Sequence, residues 1–147
     1  MPQPNAIISC RISKRQSIIR SPCRNMRRLR VLHIINYKKR EERPVELVGA
    51  DKATVRWLID HTVGAKTYAM RYFEIKPGGL IPLHQHPEEH EIFVLSGQAK
   101  VLGSAEDATA QKDDVIFVAP NEPHGYDNKH SKETFRFICV IPLLKSE

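Results

Sequence analysis

Gly78-Gly79-Leu80-Ile81-Pro82-Leu83-His84-Gln85-His86-Pro87-Glu88-Glu89-His90-Glu91-Ile92-Phe93-Val94-Leu95-Ser96-Gly97 sets three histidines within seven residues, between glycine-marked turns and just ahead of an apolar β-type run. Side chains alternate faces along a strand, so residues i and i+2 point the same way. His84 and His86 can therefore send both imidazoles into one cavity. His90 shares their parity, but Pro87 interrupts the strand, so parity alone does not place it. A fourth histidine, His124, comes from a later segment, Pro120-Asn121-Glu122-Pro123-His124. One surface histidine in a polar turn needs no explanation. Three so closely spaced, with a fourth to join them, read as a metal site on a rigid β-framework, because neutral imidazole suits zinc, copper, iron and nickel.

Outward from that stretch, the body is a succession of short strands. Apolar, β-rich runs recur at Thr54–Ile59, Tyr68–Ile75, Glu91–Leu95, Ala99–Leu102, Val115–Val118 and Thr134–Ile141. Turn residues separate them: Gly64, Pro77-Gly78-Gly79, Pro82, Pro87, Gly97, Gly103, Pro120-Asn121, Pro123 and Gly125. Strands spaced about ten residues apart predict an all-β sandwich or barrel. Helix is expected only as a single turn, in the N-terminal region or near Asp51.

Ordinary globular composition, 41% hydrophobic and 27% charged over 147 residues, leaves room for one domain. No stretch approaches the roughly 18 apolar residues of a spanning helix. The three cysteines, Cys10, Cys23 and Cys139, are too scattered for a disulfide framework, and a reducing, cytoplasmic setting is expected. The net charge of +6 divides unevenly. Residues 1–44 hold 12 Lys/Arg against 2 Asp/Glu, and the remainder holds 11 against 15. Any attraction to a nucleic acid thus belongs to the N-terminal arm alone, and no membrane partner is expected. We divide the chain into a basic, largely irregular extension over 1–43 and a domain over 44–147. Three readings of the first 30 residues stay open: a flexible arm, a translation start at Met26, and an Arg-rich organelle presequence. The run Val31-Leu32-His33-Ile34-Ile35 is read as a first strand or as an arm pairing with a neighbouring subunit.

Gly78-x5-His84-x-His86-x3-His90-x6-Gly97 resembles the first cupin motif, G-x5-H-x-H-x3–4-E-x6-G. Asp113-x5-Ala119-x-Asn121-x2-His124-x3-Asn128 is similar to the second, G-x5-P-x-G-x2-H-x3-N. The resemblance spans about residues 45 to 142. It implies a double-stranded β-helix (jelly-roll) barrel, a bound divalent metal, a small-molecule ligand and a homodimer. The family's glutamate slot, seven residues before the last glycine, falls on His90. The resemblance thus implies His84, His86, His90 and His124 as metal ligands, with Glu91 as runner-up. Asp113, Ala119 and Asn121 stand where the second motif has Gly, Pro and Gly; asparagine tolerates left-handed backbone, so that turn can survive. Four neutral ligands leave the full charge on a divalent ion, favouring an anionic or enolisable ligand. Manganese and iron lead, with nickel, copper, cobalt and zinc open. A metalloenzyme of dioxygenase or isomerase type and a non-catalytic sensing module both fit, because one barrel hosts many functions. No catalytic residue is assigned and no organic cofactor is implied.

Several further expectations concern single residues. Phe135, Phe137 and Cys139 share a strand face, and the thiol is either an inert core group or a cavity wall. Tyr68, Met70 and Tyr72 are read as core, Arg71 and Arg136 as outward-facing, and Trp57 as a packing or interface anchor. Asp113-Asp114 is read as a solvated turn, and His33, His61 and His130 as surface residues.

Overall fold

Strict alternation builds the centre of the sheet. Along Phe135–Pro142, Phe135, Phe137, Cys139 and Ile141 are buried while the intervening residues are only partly covered. The structure is a computed structural model, and it describes residues 32–144. Nine strands follow in order: β1 (Arg43–Pro44), β2 (Asp51–Ile59), β3 (Tyr68–His84), β4 (His90–Ser96), β5 (Gln98–Gly103), β6 (Ala108–Gln111), β7 (Val115–Val118), β8 (His124–Asp127) and β9 (Phe135–Pro142). Every pairing is antiparallel. The sheet runs β6-β5-β8-β3-β9-β4-β7, with β2 also on β3 and β1 on β2. This is the all-β jelly-roll barrel that the motifs imply. Its core stacks Phe73 on Phe137 at 4.9 Å, with Tyr126 5.0 Å from the same ring. Each fully buried Phe contributes about 1.5–3 kcal/mol of burial.

The Pro77-Gly78-Gly79 punctuation is a corner and not a chain reversal. β3 pairs with β9 up to Ile75 and with β8 from Leu80 onward, so the strand changes partner across Lys76–Gly79. Gly78 takes φ +79 there. Asn128 staples the corner: its side-chain Nδ2 donates to the carbonyls of Ile75 and Glu133, each at 2.8 Å, and its backbone N–H donates to Gly79 O at 2.9 Å. That is a structural use for the last residue of the second motif.

Other expectations need correction. Residues 32–36 form no strand, and Leu32 and Ile34 are exposed; Val31 lies outside the described residues. They meet no sheet edge before Asn36, whose side chain accepts from Lys38 N–H and starts a 3-10 turn at Tyr37–Lys39. No helix forms near Asp51, which opens β2. The second 3-10 turn is His61–Val63, capped by Asp60. β6 and β8 were not read from the sequence, because Ala-Thr-Ala-Gln is weakly apolar and His-Gly-Tyr-Asp looks like a turn. Gly125 belongs in β8 for a steric reason: a Cβ there would lie 2.8 Å from Ile81 O on β3. Part of the stretch assigned to the extension lies against the body, where Tyr37 packs on Tyr72 at 5.0 Å and Arg40 Nε donates to Leu58 O. Cys10, Cys23 and Met26 lie outside the described residues.

Candidate metal centre

Three strand ends carry the histidines. His84 closes β3, His90 opens β4 and His124 opens β8, with His86 in the connection after β3. His84 and His124 are direct cross-strand partners, their rings 4.4 Å apart. His86 lies 5.6 Å from His84 and 5.1 Å from His124, and His90 lies 4.5 Å from His86 and 4.7 Å from His124, centroid to centroid. His84, His86 and His124 each offer a ligand atom, and these three atoms lie within 4.8 Å of one another. Imidazole nitrogens bind zinc at about 2.0–2.1 Å, so two on one ion lie at most about 4.2 Å apart. The 4.8 Å span of the trio is close to that limit. The loop carrying His86 is fixed by Asn121, whose N–H donates to His86 O at 2.9 Å. Asn121 sits at φ +61 and Asp113 at φ +73, so both non-glycine residues take up left-handed backbone where the family motif has glycine.

Backbone carbonyls set the tautomers. His84 Nδ1 lies 2.9 Å from Pro82 O, and His124 Nδ1 lies 2.8 Å from Glu122 O. A carbonyl only accepts, so each Nδ1 carries the proton and each Nε2 keeps its lone pair. His86 Nδ1 is 3.0 Å from Glu88 Oε2, close but poorly directed for a hydrogen bond. Metal-binding histidines are oriented in this way by their second nitrogen. His124 Nε2 is buried with no hydrogen-bond partner. An orphaned buried acceptor costs about 1–3 kcal/mol, which a cation would remove. The donor set therefore fits a divalent metal. His90 stands slightly apart: its Nε2 accepts from Arg71 Nη2 at 3.3 Å, and its buried Nδ1 has no partner.

Burial keeps these rings neutral. His124 is held down to about 4, chiefly by desolvation, with the Glu122 carbonyl opposing. His90 is lowered further, by desolvation and then by the Arg71 charge; His86 is lowered by desolvation against the pull of Glu88. All three native values lie below the ordinary histidine value near 6.5, so the unfolded chain takes up protons first as pH falls. Stability of chelator-treated protein is expected to be full above about pH 6.5 and to drain between about pH 6.5 and 4, lowering Tm by roughly 10 °C over that window. Thermal melts across pH check this; a flat Tm down to about pH 4.5 contradicts it.

Arg71 was expected to face outward and instead turns in. Its Nη2 also donates to Cys139 Sγ at 3.1 Å. The residues opposite in the β3–β9 register are Arg71 with Cys139 and Phe73 with Phe137, all on the interior face. The face expected to be core, Tyr68-Met70-Tyr72, is the outer one: Tyr68 is 54% exposed, and Tyr72 is buried because Tyr37 covers it. The usable signal was Arg71's shared parity with Phe73 and Ile75. Together with the four histidines, Arg71, Cys139 and Tyr126 line one cavity of about 190 Å³. Cys139 is thus a cavity wall, its thiol pushed up by desolvation. Arg136 does face outward, donating to Glu74 at 2.7 Å. Glu91 is exposed, as are His33, His61, His130 and Asp113, while Asp114 is half-buried and accepts from Gln111 N–H. Trp57 is partly exposed beneath the Arg71 guanidinium.

Comparison with solved structures finds the same barrel widely. The polyketide cyclase RemF from Streptomyces resistomycificus shares 29% identity, covering 79% of this chain and 88% of its own, at TM-score 0.71. A predicted oxalate decarboxylase from Thermotoga maritima shares 19% identity over 76% of this chain and 100% of its own, at TM-score 0.66. The cupin domain of Cnp3 from Schizosaccharomyces pombe shares 15% over 73% of this chain and 71% of its own, at TM-score 0.59. Comparison with curated proteins gives no match. No helix among the described residues is long and apolar enough to cross a membrane. The Cupin domain family (Cupin_2) matches residues 71–141, and with the barrel and both motifs in place the chain belongs to the cupin superfamily.

Proposed function

We propose that this protein binds a divalent metal through His84, His86, His124 and His90 and uses it to hold a small anionic or carbonyl-bearing molecule. The observation that carries this reading is the buried, unpartnered Nε2 of His124, set beside two further imidazoles. Once bound, the metal would supply Lewis acidity toward an oxygen donor. His84 and His124 hold their donor atoms ready through the Pro82 and Glu122 carbonyls, and His90 would exchange its Arg71 hydrogen bond for the metal. The likeness to a polyketide cyclase supports a carbonyl-bearing substrate. Manganese or iron, a dioxygenase or isomerase reaction and a cytoplasmic homodimer complete the proposal. The exposed apolar side chains Phe93, Val115 and Phe117 support a subunit contact.

A binding module without turnover is the alternative. It is favoured by the cavity wall, where desolvation pushes both Tyr126 and Cys139 up, away from proton exchange at neutral pH. Saturation of a ligand without its consumption would select that alternative.

Elemental analysis of untagged protein, purified without chelators, tests the metal. His90→Ala is expected to lower metal content clearly, and Glu91→Gln to leave it near the wild-type level. The reverse pattern would transfer the fourth ligand to Glu91.

A further inference from the structure

The geometry points to Arg71 and the Tyr126 hydroxyl as a carboxylate-binding subsite beside the metal position, so that the ligand is a small organic carboxylate with a second oxygen donor. The inference rests on the proposed metal only for that second oxygen. Four other arginines each have a carboxylate partner: Arg40 with Asp60 at 3.6 Å, Arg43 with Glu41 at 2.6 Å, Arg56 with Glu42, and Arg136 with Glu74. Arg71, the one that turns into the cavity, has none among the described residues. Its polar contacts are a histidine nitrogen and a thiol, and its Nε is buried with no partner. A guanidinium carries five N–H donors in a planar fork that matches a carboxylate. Leaving it without an anion in a half-buried site forgoes most of that capacity.

Tyr126 supplies an independent observation. The residue is 3% exposed, it lines the same cavity, and its hydroxyl has no hydrogen-bond partner. A phenolic O–H is a hydrogen-bond donor, so it can donate to an acceptor placed there. Two unspent donor groups thus line a cavity whose remaining wall, beyond the histidines, Cys139 and the exposed Glu46, is apolar, from Val45, Leu47, Ile81, Phe73 and Phe137. A volume of about 190 Å³ limits the occupant to a small molecule. Four neutral imidazoles leave a divalent charge uncompensated, and Arg71 adds another. An anion is the complement, and a planar carboxylate suits the fork.

Lactate and its neutral amide, lactamide, differ in charge at nearly constant shape and are the probes. Full-length protein is titrated with each, with metal content measured alongside. Lactate is expected to bind at least about 10-fold more tightly than lactamide. Arg71→Met is expected to weaken lactate by about 10-fold or more, and to leave lactamide affinity and metal content unchanged. Arg71→Lys should recover part of the loss, and Tyr126→Phe should weaken lactate several-fold. No lactate binding by the wild type, equal binding of the two probes, or undiminished lactate binding by metal-replete Arg71→Met overturns the subsite. If Arg71→Met does not fold, the Lys and Phe variants decide in the same way. Should the wild type neither retain nor take up metal, the metal reading fails by itself. The same titrations on that protein still decide, since an Arg71-dependent preference for lactate upholds the subsite and its absence ends it.

Discussion

Protein carrying His124→Ala is expected to lose its divalent metal almost entirely, with affinity lower by more than about 100-fold. Removing a partner that merely orients a ligand typically costs about 10–100-fold, and removing the ligand itself costs more. His124 is 3% exposed, cross-strand to His84, and locked by Glu122 O so that Nε2 faces the other rings. No neighbouring side chain among the described residues is placed to take over from a ring fixed in that way. The fold should survive, because alanine removes an unpartnered buried nitrogen together with the ring that carries it. Two measurements therefore separate. Elemental analysis should show the variant depleted, while chelator-treated wild type and variant melt within a few degrees of each other. Adding metal should raise the Tm of the wild type by mass action and leave that of the variant unmoved. A variant that keeps its metal and its metal-dependent rise in Tm would remove His124 from the site, and the proposed function with it.

What the sequence reveals of this barrel follows the physics of alternation. β9 is legible because one face is apolar along its whole length, and β4 because its middle, Ile92–Leu95, is a continuous apolar run. His84, His86 and His124 are legible through their spacing in the family motifs, although His86 lies just past the end of β3, where strand alternation no longer holds. β8 is not legible, since the glycine that lets it lie close on β3 is also a turn residue. Nor is the partner change within β3, where Pro77-Gly78-Gly79 looks the same whether the chain reverses or turns a corner. Arg71 was lost for a related reason. Both faces of Tyr68–Ile75 carry aromatic residues, and only Tyr37, arriving from elsewhere to cover Tyr72, decides which is interior. Tertiary cover of that kind leaves no local trace.

Gly97→Ala is expected to cost about 2–5 kcal/mol of a total near 5–15 kcal/mol, lowering Tm by roughly 10–20 °C. Gly97 is the single residue between β4 and β5, and it sits at φ +77. Alanine in left-handed backbone costs about 1–2 kcal/mol before any contact is made. The added Cβ would then stand 2.5 Å from Thr134 O and 3.0 Å from Phe135 Cα. Those atoms cannot retreat cheaply, because Phe135 is fully buried and begins β9, the central strand that pairs with both β3 and β4. Gly103 offers a control at the same separation, with its added Cβ 2.5 Å from Glu106 O. Its backbone lacks the positive φ, and Glu106 is exposed and able to move. Gly103→Ala should therefore cost less than half as much in parallel denaturant titrations. Folded Gly97→Ala should keep its metal stoichiometry, since His90 opens β4 at the end opposite Gly97. Equal losses from the two glycine variants would mean that the clash distance alone sets the cost, and that neither the left-handed backbone nor the rigidity of β9 contributes.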